Sequence, residues 1–258
     1  MKIVFNKYHG AGNDFIMIDN RDKIIKSSDS GIISFLCNRH MGIGADGLIL
    51  IDEDKGADFS MQYFNSDGNK AGMCGNGGRC AAAFANKAGI SGLKGVFKAA
   101  DGNHSYSIKG NEVSISLNDT PAPASVDGNH FLNTGSPHYI IYVPDINRVD
   151  VFEKGKKTRN SDSFSPGGTN VNFVQHSDDG IYVRTYERGV ENETLSCGTG
   201  VTAAAISSKW DKGTGKYSVS VKTRGGLLNA DFKIGKEKIT DIHLRGPAEF
   251  VFAGVINI

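Results

Sequence analysis

The 258-residue sequence has no long apolar run. Its longest, residues 250–256 with one glycine counted in, is seven residues. A helix that crosses a bilayer needs about 20, so no membrane partner is expected. Residues 1–10 carry no apolar signal core. Neither sign of charge is in surplus: 29 Lys and Arg against 28 Asp and Glu leave +1, with no basic block. Binding to nucleic acid through phosphate neutralisation is therefore not expected. Prolines are few, at 6, so Pro-rich linkers are missing. Only four cysteines occur, Cys37, Cys74, Cys80 and Cys197. That is too sparse for a disulfide scaffold, and with no signal core the expected location is a reducing cytoplasm. A zinc site wants a close pair such as C-x2-C. Cys74 and Cys80 are six apart with no second pair, so no metal is expected. What is present is a composition fit for a packed core, 39% apolar and 22% charged, which excludes a disordered chain. Glycine is in excess, at 33, and implies tight turns and close backbone approaches.

A repeat runs through the chain. Under a shift of 123 residues Cys74-Gly75-Asn76-Gly77 falls on Cys197-Gly198-Thr199-Gly200. The same shift carries Gly12-Asn13-Asp14-Phe15 to Gly135-Ser136-Pro137-His138, and the apolar run 47–51 to 170–174. Tyr63 falls on Tyr186, and after the cysteines a shift of 124 pairs Phe97-Lys98 with Val221-Lys222. Several matches in one register imply a duplicated unit of roughly 120 residues, within ordinary domain size.

Periodicity and turn residues predict strands at 2–6, 14–19, 47–52 and 59–64, and an amphipathic helix at 29–39. They predict an Ala-rich helix at 76–87 and hairpin strands at 96–99, 105–109 and 112–117. The second half repeats this, with strands at 139–143, 171–175 and 181–186 and a helix at 199–209. Hairpin strands follow at 217–223, 227–234 and 238–245. Segment 119–125, with two prolines, is the expected crossover, and the strand-like 249–258 is free to pair with either half. The domains are read as 1–119 with 247–258, and 120–246. The fold class is α+β, two pseudo-symmetric domains of mixed sheet.

In both halves the order strand, turn, Cys-Gly-x-Gly, helix puts a cysteine at a helix N-terminus. Unpaired N–H groups and a partial positive charge lower a thiol pKa there. The glycines after each cysteine let a carboxylate approach the backbone donors. Two such ends, related by duplication, are expected to face one cleft, with a thiolate on one side of a bound molecule and a thiol on the other. That pair can remove an α-proton from one face and return one to the opposite face. Backbone donors stabilise the charge that builds on the carboxylate. Cys37, in the apolar-periodic stretch 32–38, reads instead as a packed hydrophobe. No dinucleotide is expected: Gly10-Ala11-Gly12 has Phe15 where a third glycine is needed. Gly42-Ile43-Gly44-Ala45-Asp46-Gly47 precedes a strand instead of opening a helix. His138, and the pair Glu187-Arg188, would alone be structural or solvated, but the repeat places them near the ligand-facing turns.

The segments 7–15 (KYHGAGNDF), 39–47 (RHMGIGADG), 65–68 (NSDG), 73–80 (MCGNGGRC), 168–171 (GTNV), 186–189 (YERG) and 197–200 (CGTG) closely resemble the diaminopimelate epimerases. The likeness spans nearly the whole chain. It implies an isomerase that interconverts LL- and meso-diaminopimelate for lysine and peptidoglycan synthesis, without cofactor. It further implies two domains, each a sheet wrapped round a central helix, with the last strand returning to the first, and a homodimer. By motif position Cys74 and Cys197 would be the acid/base pair, with His138 and Glu187 beside the reacting centre. Gly75-Asn76 and Gly198-Thr199 would hold the reacting carboxylate, and Asn13, Asn65, Asn170, Glu187 and Arg188 would bind the remainder of the substrate. The sequence departs from the pattern at Ser136, Asn in many members, at Gly47, Gln in some, and at Val190-Glu191-Asn192, a longer loop before Cys197. A proline racemase-type enzyme would show His two residues after the first cysteine and Pro before the second. Asn76 and Ser196 stand there. A non-catalytic relative would lack the thiols.

Overall fold

The run Gly47–Asp52 (GLILID) is buried at all six residues. A strand covered on both faces reads as such an unbroken apolar run. The computed structural model describes residues 1–258. Its contacts divide the chain into two compact units, Met1–Ile115 with Gly246–Ile258, and Ser116–Arg245.

The first unit holds β1 (Lys2–Gly10), β2 (Asn13–Asp19), β3 (Gly47–Asp52), β4 (Phe59–Asn65), β5 (Lys94–Ala99), β6 (Gly102–Lys109) and β7 (Glu112–Ser116). β1 pairs antiparallel with β2, β2 parallel with β3, β3 antiparallel with β4 and β4 parallel with β5. β5, β6 and β7 form an antiparallel meander. The chain's last strand, β18 (Glu249–Asn257), pairs antiparallel with β1, from Lys2↔Asn257 to His9↔Glu249. Segment 249–258 therefore belongs to this unit. Helix α1 (Ser30–Cys37) covers one face, where Ile33, Leu36 and Cys37 pack with Ile16, Ile18, Leu48 and Leu50. Ile49 points to the other face, since strand side chains alternate. There helix α2 (Gly75–Lys87) comes so close that a Cβ on Gly77 would lie 2.9 Å from Ile49 Cδ1. The small residues of α2 allow that approach, and α2 touches β1, β2, β3, β4, β6 and β18. The sheet thus wraps around a buried helix.

The second unit holds β8 (Thr120–Pro121), β9 (Ala124–Val126), β10 (Asn129–Asn133), β11 (Pro137–Tyr142), β12 (Asn170–Ser177), β13 (Gly180–Glu187), β14 (Asn192–Thr194), β15 (Gly215–Thr223), β16 (Gly226–Ile234) and β17 (Lys238–Pro247). Its pairing repeats the first: β10 antiparallel to β11, β11 parallel to β12, β12 antiparallel to β13 and β13 parallel to β15. An antiparallel β15–β16–β17 meander follows. The central helix is α4 (Gly198–Lys209), which touches β10, β11, β12, β13, β15 and β16. Even the register repeats. Phe15 pairs with Gly47, and 123 residues later His138 pairs with Asn170.

Some expectations need correction. Tyr63 is not the counterpart of Tyr186. Leu48 pairs with Phe64 and Val171 with Tyr186, so Phe64 matches Tyr186 and Tyr63 matches Thr185. The connection before β13 is shorter, which drops the offset by one. The predicted helix 29–39 stops at Cys37, because Asn38 is extended and its Oδ1 accepts from the His40 and Met41 N–H groups. Strand β1 runs on to Gly10, which pairs with Asn13 across a two-residue turn. Ala11 and Gly12 have φ 53° and 83°, the conformation such hairpins need. Five elements were not predicted: β8, β9, β10, β14 and helix α3 (Val151–Arg159). α3 is polar and lacks apolar periodicity, but Asp150-x-x-Glu153 is a start signal, and Asp150 Oδ1 accepts from the Glu153 N–H at 3.0 Å. No helix is long and apolar enough to cross a membrane.

Candidate active site

In the first unit Cys74 is the N-cap of α2, with an extended backbone at φ −113°, ψ 119°. Its Sγ accepts from the Gly77 N–H at 3.4 Å and lies 3.8 Å from Asn13 Oδ1. Helix geometry leaves the Gly75 N–H without an intrahelical partner. The Asn76 side chain is engaged on both sides: its Nδ2 donates to Asn13 Oδ1 at 3.2 Å and its Oδ1 accepts from Arg79 Nη2 at 2.9 Å. Arg79 is fully buried, and burial pulls its pKa down to about 10. Its other partners are the carbonyls of Gly75 and Pro247, so it ties the returning chain to the start of α2.

Asn13 is itself held. Its Nδ2 donates to Asp46 Oδ2 at 2.8 Å, and Arg39 Nη2 bridges Asp46 and Asp14 at 2.7 Å each. Lys7 adds an ion pair to Asp14 at 2.7 Å and donates to the Gly44 carbonyl. Burial would raise the Asp14 pKa, but hydrogen bonds and charge from Arg39 and Lys7 prevail and hold it at about 2. The motif 39–47 thus orients Asn13. These four charged residues escaped the sequence reading, although charges inside apolar motifs were a usable signal. Asn65 ends β4 on the surface and makes no side-chain hydrogen bond to this group. At Gly47 a Cβ would meet the Phe64 carbonyl oxygen and Tyr63 Cε2 at 2.5 Å, so the Tyr63 ring fills that space.

In the second unit Cys197 is the N-cap of α4, at φ −117°, ψ 111°. Its Sγ lies 3.5 Å from Thr199 Oγ1. Thr199 Oγ1 is 2.8 Å from His138 Nε2, and Ser136 Oγ lies 3.0 Å from that nitrogen. Ser136, which departs from the family pattern, is therefore part of the cluster and accepts from Asn170 Nδ2 at 3.1 Å. Asn170 also donates to the Pro137 carbonyl and accepts from the Arg188 N–H. The Arg188 guanidinium is exposed and reaches the Gly167 carbonyl. Glu187 Oε2 accepts from Thr194 Oγ1 at 3.0 Å. His138 is fully buried, and burial, aided by the Arg188 charge, pulls its pKa down to about 3.

In the first unit Asn13 and Asn76 thus gather at Cys74, while Asn65 stands apart. In the second, His138 and Asn170 gather with Thr199 and Cys197, and Arg188 joins them through its backbone N–H, while Glu187 contacts Thr194. What each can offer is a thiol at a helix cap, backbone donors for a carboxylate, and a polar surround. No group of three or more His, Cys, Asp or Glu side chains is placed to ligate a metal.

A family model described as diaminopimelate epimerase matches residues 5–122 and again residues 130–251. A diaminopimelate epimerase of Flavobacterium psychrophilum is 47% identical, over 97% of this chain and 98% of its own. One from Aquifex aeolicus is 43% identical over 98% and 97%. Among solved structures, a Bacillus anthracis phenazine biosynthesis protein of the PhzF family covers all of both chains with TM-score 0.81 at 13% identity. A hydroxyproline epimerase from Agrobacterium vitis gives TM-score 0.66 at 13% identity, over 99% of this chain and 92% of its own. These two share the fold, and the sequence relatives fix the family: the chain belongs to the diaminopimelate epimerases.

Proposed function

We propose that this protein interconverts LL- and meso-diaminopimelate by moving the α-proton between two thiols, a step toward lysine and peptidoglycan. One observation carries the reading. A chain of this family caps both of its central helices with Cys-Gly-x-Gly, once in each duplicated unit. A thiolate at Cys74 or Cys197 takes the α-hydrogen as a proton and becomes a thiol. The electron pair passes into the carboxylate, held by the first-turn N–H groups at Gly75-Asn76 and Gly198-Thr199. The opposite thiol gives its proton to the other face and becomes the thiolate. One proton leaves carbon and one returns, so no external reductant or oxidant is consumed. His138 and Glu187 flank the reacting centre. Asn13, Asn65, Asn170 and Arg188 bind the distal amino-acid end, which fixes which carbon reacts.

The proposal includes a homodimer in the cytoplasm. Val4 and Val255 pair across β1 and β18 and are 57% and 53% exposed, and Val251, four residues back along β18, is 51% exposed. Apolar strand surface of this kind marks an interaction face. Light scattering of the purified protein tests it, and a monomer at all concentrations contradicts it.

The reaction is tested by proton NMR of LL-diaminopimelate in D2O, with proline as the second substrate. The expected result is loss of the α-proton signal from diaminopimelate alone. Exchange at proline instead identifies a proline racemase-type enzyme and overturns the proposal.

A further inference from the structure

Asn172 is fully buried on β12, between His138 on β11 and Thr185 on β13. Its amide nitrogen lies 3.1 Å from His138 Nδ1 and 3.3 Å from the Tyr139 carbonyl oxygen. Its oxygen accepts from Thr185 Oγ1 at 2.9 Å. A carbonyl has no hydrogen to give, so the group facing Tyr139 is the NH2. That same NH2 can meet Nδ1 only if the ring nitrogen presents its lone pair. A neutral imidazole with a bare Nδ1 carries its proton on Nε2. Nε2 in turn faces Thr199 Oγ1 at 2.8 Å and, at the longer 3.0 Å, Ser136 Oγ, which already accepts from Asn170. Having accepted, the Thr199 hydroxyl can turn its own hydrogen to Cys197 Sγ, 3.5 Å away.

We propose that Asn172, fixed by Thr185, is a positioning residue that holds His138 as the Nε2–H tautomer, a donor to Thr199 and through it toward the Cys197 sulfur. The inference deepens the two-thiol reaction above and rests on it. His138 then exchanges no proton with substrate. It steadies negative charge on Cys197 through one hydroxyl, and Cys197 alone moves the proton on its side.

The duplication supplies an internal comparison. By strand register, His138, Asn172 and Thr185 occupy the places of Phe15, Ile49 and Tyr63. There Phe15 and Tyr63 pack edge to face with centroids 5.9 Å apart. Both trios lie under equivalent glycines. Gly77 abuts Ile49, and a Cβ on Gly200 would come 2.4 Å from Asn172 Oδ1. Two buried apolar side chains and the ring of the part-buried Tyr63 therefore fill this place in the fold. Buried polar groups are costly unless every one is satisfied, so packing does not call for the polar trio, whereas orienting a proton does. The low pKa of His138, about 3 and set chiefly by burial, keeps the ring neutral near pH 7.

The test is long-range 15N–1H correlation NMR of the native protein near pH 7, with His138 assigned by loss of its signals in His138→Gln. The expected pattern is a protonated Nε2 and a bare Nδ1. Asn172→Asp replaces the donor by an acceptor and should draw a proton onto Nδ1. Changes to the hydrogen-bond partners that orient metal-bound histidines cost about 10- to 100-fold, and a loss of that order is expected here. The loss here should fall on kcat, with KM for diaminopimelate nearly unchanged. Thr185→Val leaves Asn172 free to turn and should give a mixture of tautomers, and it serves if the aspartate variant does not fold. An Nδ1–H pattern in the native protein, or an unaltered Nε2–H pattern in Asn172→Asp, overturns the proposal. The Nε2–H pattern in a native protein inactive on diaminopimelate would instead contradict the reaction and leave the tautomer standing.

Discussion

Cys74 and Cys197 cap their helices with nearly the same backbone, φ −113° and ψ 119° against φ −117° and ψ 111°. The surroundings differ. Cys74 lies against an amide, Asn13, which a charged cluster braces. Cys197 lies against a hydroxyl, Thr199, which a neutral imidazole contacts. Duplication set the two thiols alike, and divergence of the flanking strands gave each its own environment.

Gly200 should tolerate no side chain. A Cβ there would lie 2.4 Å from Asn172 Oδ1 and 3.2 Å from His138 Cε1. Over-packing of this kind costs roughly 1–3 kcal/mol. Gly200→Ala should lower the urea midpoint and reduce turnover together. Gly72→Ala, with nothing within 4 Å of its Cβ, should change neither.

Acid should loosen the first unit through Asp14. Its pKa is held at about 2, below the ordinary aspartate value of about 3.9, by Arg39 and Lys7 acting against burial. A depressed carboxyl stabilises the fold fully above the unfolded value, and that share is lost as pH falls through the folded one. Urea midpoints should therefore decline between about pH 4 and about pH 2. Asp14→Asn should be less stable at neutral pH and show a shallower decline. An equal slope in both proteins counts against this assignment.

How much of this was legible in the sequence depended on what signal each residue carried. The Cys-Gly-x-Gly repeat located both helix caps, because glycine spacing records close packing directly. β3 was plain from its apolar run. Helix α3 was missed because its outer face is lysine-rich and its buried side is only Val151 and Gly155, the glycine lying close against Tyr186. Asn172 and Thr185 were missed for another reason. A polar residue in a strand reads as solvent-facing, and only strand register shows that both are buried beside His138.

Oxidation should inactivate the enzyme reversibly. If Cys74 and Cys197 attend one carbon, an oxidant can join their sulfurs once substrate has left, and a reductant should restore turnover. Cys37 and Cys80 serve as internal controls, since burial pushes both thiols up to about 12 and leaves them unreactive. Peptide mapping should find a 74–197 link in the oxidised protein. Full activity after oxidation contradicts the expectation.

The two-thiol account is tested most directly by deuterium incorporation from D2O into LL-diaminopimelate, with native enzyme, Cys74→Ala and Cys197→Ala compared after urea unfolding has shown all three folded. Positioned acid–base groups contribute roughly 100- to 10,000-fold. In its first turnover each LL molecule should be labelled and inverted at one centre by the native enzyme, and each variant should lose inversion by a factor in that range. Inversion at the native rate by either variant would contradict the account.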